Sequence, residues 1–227
     1  MDRNKKYFID FLIGTPTKNV IFEPYITREL TEALIWRRGG NLWSTPEQCI
    51  STLASNTERT RADIFFIDMN DFTEEEKAII PHDILAFKGR DSELGVGVIC
   101  HNEEEVSLVE NVADCLCIYG HTTSSKIPVI RMDGTPEEAI ARGDLGWFAR
   151  NDAEKNLADY GSKIKILGGL GVDFIVGSSP VKIYSYVAEL AEKYPSMWAC
   201  GSGGEIPGDK YLEFISLLGA FGRIRRL

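Results

Sequence analysis

Runs of apolar residues bounded by acidic or turn residues recur along this chain, and each predicts a buried β-strand. In the stretch 62–69 (ADIFFIDM), residues 64–67 are apolar without a break, which is typical of a strand buried on both faces. Asp68 closes this run and is followed by the turn-forming residues Asn70 and Asp71. We therefore expect the carboxylate of Asp68 at the C-terminal end of a strand, where folds of alternating strands and helices hold their functional residues.

Helix signals alternate with eight such runs. The expected strands cover residues 20–22, 62–69, 94–100, 114–119, 126–132, 146–149, 163–167 and 197–200. Residues that cap helix N-termini precede the segments between them, and these are Thr45, Thr73, Asn102, Thr135, Asn151 and Ser179. Further helices are expected over 27–36 and 209–221. The short helix that follows Thr73 is expected to end near Pro81.

Eight strands alternating with helices over 227 residues is the pattern of an α/β fold whose parallel sheet closes into a single (β/α)8 barrel. An open doubly wound sheet is the alternative. We expect one domain spanning residues 1–227. In a barrel the residues at the C-terminal ends of the strands surround one mouth, and here they are Glu23, Asp68, Cys100, His101, His121, Arg131, Asp133, Arg150, Cys200 and Ser202.

The charge balance and the cysteines narrow the class of protein. The net charge of −9 argues against nucleic acid or an anionic membrane as the main partner. No apolar run approaches the roughly 20 residues that span a bilayer, and the N-terminal apolar segment is short for a secretory signal. We therefore expect a cytoplasmic protein. The five cysteines are odd in number and form no CxxC pair, so neither a disulfide framework nor a zinc ribbon is indicated.

Charged side chains at the predicted mouth suit the binding of a small molecule. Asp68 can accept hydrogen bonds from N–H groups of a ligand or act as an acid or base. Its alternative role is to cap the turn that follows it. Arg28, Arg131 and Arg150 carry planar guanidinium groups that pair with carboxylates or phosphates. For each arginine, a surface ion pair with a neighbouring acid is the alternative.

A metal site would draw on single residues scattered along the chain. The candidates are His101, His121, Asp133 and Cys200, with Glu23 opposite. Imidazole, thiolate and carboxylate groups bind zinc or iron, but these residues form no spaced ligand motif. Zinc is therefore not expected.

Two glycine turns and several aromatic residues complete the candidate binding set. The turns that contain Gly169 and Gly203, the latter beside Ser202, permit a ligand to approach the backbone closely. The same glycines can instead serve strand packing alone. Aromatic residues near strand ends can stack on a planar ligand or belong to the core, and these are Tyr25, Tyr119, Trp147 and Phe148. Of these we expect Tyr25 or Trp147 to face a ligand.

Several segments follow one another in the order found in the uroporphyrinogen decarboxylase superfamily, which this chain resembles. The segments are 127–129 (IPV), Trp147, 166–170 (ILGGL), Ser179–Pro180 and 201–207 (GSGGEIP). Farther upstream, residues 66–69 (FIDM) resemble the family's strand that ends in a catalytic aspartate. The resemblance implies a TIM-type barrel. The superfamily also contains cobalamin-dependent methyltransferases that move methyl groups between corrinoids and thiols.

This chain departs from the family pattern at several positions. Arg28 matches the second of two family arginines that hold substrate carboxylates, whereas the first falls on Pro24. The family's C-terminal histidine falls near Gly204 and is missing. The His-x-Cys pair of the zinc-dependent methyltransferases is replaced by Arg131 and Asp133. The long middle section of the family has no counterpart.

The resemblance implies a barrel that binds a corrinoid, a tetrapyrrole or another carboxylate-bearing small molecule and takes part in methyl transfer. Asp68 and Arg28 would orient the ligand, and His101, His121 or Cys200 would assist the chemistry. A corrinoid is then the candidate cofactor, and a corrinoid protein and a second copy of this chain are candidate partners. One alternative is decarboxylation, with Arg28 holding a carboxylate and Asp68 stabilising a protonated pyrrole. Another is a non-catalytic binding module.

Overall fold

The computed structural model describes residues 5–15, 20–24, 45–60, 62–91, 93–120 and 125–224. Their strands form one parallel eight-stranded sheet in the order β1-β8-β7-β6-β5-β4-β3-β2. The strands are β1 (Val20–Ile21), β2 (Ile64–Asp68), β3 (Gly95–Cys100), β4 (Cys115–Ile118), β5 (Val129–Arg131), β6 (Gly146–Ala149), β7 (Lys165–Leu170) and β8 (Trp198–Ser202). This order is sequential with β8 beside β1, which fits a (β/α)8 barrel and not a doubly wound sheet, whose strand order reverses at a switch point.

Helices separate most consecutive strands, one helix precedes the sheet and one follows it, and among the described residues no helix lies between β4 and β5. Within the described residues they are α1 (Lys5–Leu12), α2 (Pro46–Thr60), α3 (Glu74–Lys77), α4 (Ile80–Arg90), α5 (Glu103–Val109), α6 (Pro136–Arg142), α7 (Ala153–Tyr160), α8 (Val172–Gly177), α9 (Pro180–Lys193) and α10 (Gly208–Ile224). The predicted α/β alternation is therefore confirmed. The helix predicted over 27–36 lies outside the described residues.

Side chains from all eight strand regions meet in one interior cluster. Phe22, just after β1, packs against Phe66 of β2 with ring centroids 5.0 Å apart. This contact joins the two edge strands of the sheet order. Phe8, Phe11 and Leu12 of α1 belong to the same buried cluster. Because these apolar side chains fill the space that the curled sheet encloses, α1 acts as a plug.

Alternation along the strands separates this interior from two outer clusters beneath the helices. In β2, Ile64 and Phe66 belong to the interior, whereas Phe65 and Ile67 belong to an outer cluster with side chains of α2 and α4. A strand that is apolar on both faces is what a parallel sheet under helices requires. The two-faced burial predicted for 64–67 is confirmed.

Most of the predicted helix caps are present. Thr73 and Thr135 form capping boxes with Glu76 and Glu138, and the Asn102 side chain accepts the backbone N–H of Glu105. The cap at Asn151 is wrong, because α7 begins after Asp152, which has left-handed backbone angles and makes no side-chain cap bond.

Several predicted boundaries also differ from the structure. Pro81 stands at the start of α4 rather than at the end of a helix, because proline is tolerated in the first helical turn. β5 covers Val129–Arg131 and is shorter than the predicted 126–132. β7 continues through Gly168 and Gly169 to Leu170, both glycines having positive φ. No helix in the described part of the chain is long and apolar enough to cross a membrane.

Candidate functional site

Asp68 lies at the C-terminal end of β2, on the side of the strand that faces the barrel interior. Its Oδ1 atom accepts the backbone N–H of Asn70 at 2.9 Å, which caps the 3₁₀ turn Met69–Asp71. The side chain remains 35% exposed. Its second oxygen, Oδ2, accepts no hydrogen bond from the part of the chain that the structure describes. The turn-capping role therefore occupies one oxygen and leaves the other open to a ligand.

His101 follows β3 and forms the closest polar contact of Asp68. Its Nε2 atom lies 2.7 Å from Oδ1 of Asp68, and the side chain is 23% exposed. This hydrogen bond raises the pKa of His101 above its ordinary value, although partial burial acts in the opposite direction. Since the carboxylate oxygen is an acceptor, the geometry assigns the proton to Nε2 and leaves Nδ1 facing outward from the pair.

Tyr119 follows β4 and supports the imidazole from one side. Its ring is stacked on His101 with centroids 4.9 Å apart and an interplanar angle of 7°. Three neighbouring strands thus contribute one side chain each. A carboxylate orients the imidazole through Nε2 and an aromatic ring fixes its plane, so Nδ1 is presented as a proton acceptor when neutral and as a donor when charged.

A buried carboxylate holds the backbone of His101. Glu105 of α5 accepts the backbone N–H of His101 through Oε2 at 2.7 Å. Its Oε1 atom accepts a hydrogen bond from Lys77 Nζ at 2.8 Å. The sequence analysis did not identify Lys77 or Glu105, which lie in glutamate-rich segments that follow β2 and β3.

Arg131 and Asp133 hold the loop that follows β4. Arg131 donates to Asp144 from Nε at 3.0 Å and to the carbonyl oxygen of Gly120 at 2.7 Å. Asp133 accepts the backbone N–H of Gly120 at 2.7 Å. Both side chains thus bind backbone groups of Gly120, directly after Tyr119. Their predicted ligand contacts stay predictions.

At the junction of β1 and β8, Glu23 and Ser202 form a buried pair. The Ser202 hydroxyl lies 3.1 Å and 3.2 Å from the two carboxylate oxygens of Glu23. Beside it, a Cβ atom at Gly203 would overlap the carbonyl oxygen of Arg150. This glycine is therefore required by close backbone packing. Cys200 belongs to an outer cluster, and burial raises the pKa of its thiol.

Arg150 and Gly169 line a separate cavity of about 410 Å³. It lies at the C-terminal ends of β6 and β7, away from β2 and β3 in the sheet order. Its walls are formed by Arg150, Asn151, Asp152, Gly169, Leu170, Gly171, Val172, Asp173, Phe174 and Tyr186. Of the predicted mouth residues, Arg150 and Gly169 are therefore separated from Asp68 and His101. Trp147 packs in the outer cluster under the helices.

Three predicted site residues, Tyr25, Arg28 and His121, lie outside the described residues. Among the residues that are described, no group of three or more His, Cys, Asp or Glu side chains is arranged to hold a metal ion. Of the candidate ligands, His101 contacts Asp68 and Asp133 accepts the backbone N–H of Gly120. Cys200 is buried in an outer cluster.

Comparison with known proteins leaves the family open. No family model matches the chain, and no curated protein matches it. Among solved structures it is similar to a type I 3-dehydroquinate dehydratase from Clostridium difficile with covalently modified comenic acid. The identity is 14%, the TM-score is 0.23, and the match covers 82% of this chain and 65% of that one. A likeness at this level supports no conclusion about the site.

Proposed function

We propose that the mouth beside Asp68 and His101 binds a corrinoid, a tetrapyrrole or another carboxylate-bearing small molecule and takes part in methyl transfer. The observation that carries the proposal is the 2.7 Å contact between His101 Nε2 and Asp68 Oδ1, at the exposed end of two neighbouring strands. The ligand class and the reaction class rest on the resemblance of 66–69 and of the C-terminal segments to the uroporphyrinogen decarboxylase superfamily.

The side chains present fit such a ligand. Oδ2 of Asp68 is open to an N–H group, which a tetrapyrrole offers on its pyrroles and a corrinoid on its amide side chains. Protonated His101 can donate from Nδ1 to a ligand carboxylate. The stacked rings of His101 and Tyr119 provide a flat edge beside these groups. A corrinoid, when bound, supplies a transferable methyl group.

The protein's part in the reaction is proton transfer and orientation. Neutral His101 accepts the proton of a methyl acceptor such as a thiol at Nδ1, because a thiolate is a far better nucleophile than a thiol. Asp68 holds the opposite nitrogen and stabilises the imidazolium that results. Of the three residues predicted to assist the chemistry, His101 is the one whose described environment suits a base. No described contact favours the decarboxylase alternative, which stays a prediction.

Titration with cobalamin, followed by its visible absorbance, tests the proposal. The wild type is expected to give a saturable spectral change. D68N and H101Q each remove a charge-assisted contact, and loss of roughly 1.5–3 kcal/mol weakens binding by roughly 10- to 100-fold. H82Q is the matched control, because His82 is an exposed histidine on α4 that pairs with its neighbour Asp83.

Either of two results would contradict the proposal. One is that the wild type shows no spectral change with hydroxocobalamin or methylcobalamin and binds no porphyrinogen. The other is that H82Q weakens binding as much as H101Q, which would remove the reason for placing the ligand beside Asp68.

A further inference from the structure

A buried ion pair connects the two loops that carry Asp68 and His101. Lys77 ends α3, which follows β2, and Glu105 lies in α5, which follows β3. Lys77 Nζ lies 2.8 Å from Glu105 Oε1, and the side chains are 9% and 3% exposed. The residues are 28 positions apart, so this contact belongs to the tertiary structure. Like the Asp68–His101 contact, it bridges the segments that follow β2 and β3.

On the β3 side, Glu105 is joined directly to the backbone of His101. Its two carboxylate oxygens are divided between two partners, Lys77 at Oε1 and the His101 N–H at Oε2, 2.8 Å and 2.7 Å away. Asn102 accepts the backbone N–H of Glu105 and thereby fixes the start of α5. A displacement of Lys77 is therefore passed to the backbone of His101 through one buried carboxylate, that of Glu105.

On the β2 side, the segment from Asp68 to Lys77 is internally bonded. Asp68 caps the 3₁₀ turn, and Phe72 closes that turn through its N–H to the carbonyl of Met69. The Thr73–Glu76 capping box follows, and the N–H of Lys77 donates to the carbonyl of Thr73. The position of Lys77 is thus tied to that of Asp68.

We infer that Lys77 and Glu105 are positioning residues that keep His101 Nε2 within hydrogen-bond distance of Asp68 Oδ1. The inference rests on the proposed function, because it assigns the ion pair to the same site. Stability alone is a poor reason for such a pair, since apolar replacement of both partners in a buried ion pair is often neutral or stabilising. Its role lies in the spacing of two strand ends, and neither residue touches the ligand.

The pKa of His101, measured by NMR on the ligand-free protein, separates positioning from general stability. In K77M/E105Q the bridge is lost while a side-chain carbonyl remains to accept the His101 N–H. The charge of Glu105 raises the pKa of His101 and the charge of Lys77 lowers it, so the direct effects of removing both charges oppose each other. The main remaining effect on the pKa is then the altered distance between His101 and Asp68. The pKa of His101 is expected to fall toward 6.5. K77R, which keeps the charge and the donor groups, is expected to retain the raised value.

Two further variants serve as a control and as a substitute for K77M/E105Q. K193M/E154Q removes an exposed ion pair and is expected to leave the pKa of His101 unchanged. If K77M/E105Q does not fold, K77M alone serves, because loss of the lysine charge by itself would raise the pKa of His101 whereas loss of the bridge lowers it. A fall supports the inference, and a rise or no change overturns it.

D68N distinguishes failure of this inference from failure of the proposed function. If the pKa of His101 falls in D68N but not in K77M/E105Q, the dyad stands and the positioning role of the ion pair is overturned. If it falls in neither, the Asp68–His101 contact on which the proposed function depends is itself contradicted.

Discussion

His101 Nε2 lies 2.7 Å from Asp68 Oδ1, although the two residues are 33 positions apart in the sequence. The register of β2 and β3 explains this contact. Asp68 is opposite Ile99 in the parallel ladder, and His101 is two residues beyond Ile99 on the same face of the strand. Both side chains therefore emerge together at the C-terminal edge, and a shift of one residue in register would separate them.

The raised pKa of His101 predicts a pH-dependent contribution to stability. A histidine whose pKa is higher in the folded protein than in the unfolded chain stabilises the fold below the unfolded value, about 6.5, and this contribution is lost as pH rises through the folded value. The free energy of unfolding of the wild type minus that of H101Q is expected to be larger at pH 6 than at pH 9. Urea unfolding at both pH values measures it, with H82Q as the control. A difference that grows toward pH 9 would contradict the prediction.

Removal of Arg131 is expected to destabilise the fold. Its partner Asp144 is buried, so R131M leaves an uncompensated carboxylate at a predicted cost of about 3–5 kcal/mol. R90M is the matched control, because Arg90 forms an exposed ion pair with Glu47 and its loss is expected to cost less than about 1 kcal/mol. Chemical denaturation compares the two. Equal effects would show that Arg131 does not anchor the Gly120 loop.

Gly203 is expected to tolerate no side chain. A Cβ atom there would overlap the backbone carbonyl of Arg150, and backbone cannot move aside as a flexible side chain can. G203A is therefore expected to lose at least about 1–3 kcal/mol of stability. G177A is the control, because its Cβ would meet open space and alanine in a helix gains about 0.5–1 kcal/mol over glycine. A neutral G203A would indicate a different approach of β8 to β6.

The ring contact between Phe22 and Phe66 predicts coupling across the two edge strands. A double-mutant cycle with F22L and F66L is expected to give a coupling energy of about 0.5–1.5 kcal/mol. A second cycle pairs F22L with F87L, since Phe87 belongs to an outer cluster, and its coupling is expected to be near zero. Equal couplings in the two cycles would argue against interior packing of β1 on β2.

Much of the fold could be predicted because the signals are local. The apolar run 64–67 predicts its own strand, and Thr73 and Thr135 each cap a helix that begins at the next residue. The helix Lys5–Leu12 was missed, because its buried side chains Phe8, Phe11 and Leu12 have a partner only after the sheet has curled. The sequence of this helix, KKYFIDFL, therefore carries no local signal that it fills the barrel interior.

The candidate site was predictable in part. Asp68 and His101 follow neighbouring strands, so their presence at one edge could be expected, whereas their direct pairing depends on register. Lys77 and Glu105 carry no local signal of their pairing, because they are 28 positions apart and meet only in the folded chain. Arg131 was expected at the mouth because it lies at the end of a strand. Its side chain instead points away from the barrel interior and donates to Asp144.

The pKa of His101, measured by NMR titration of its imidazole in wild type and D68N, tests the Asp68–His101 dyad most directly. We expect a pKa above 6.5 in the wild type and a lower pKa in D68N, because the hydrogen bond with Asp68 is the main cause of the elevation. An unchanged His101 titration in D68N would contradict the dyad and the function proposed for it.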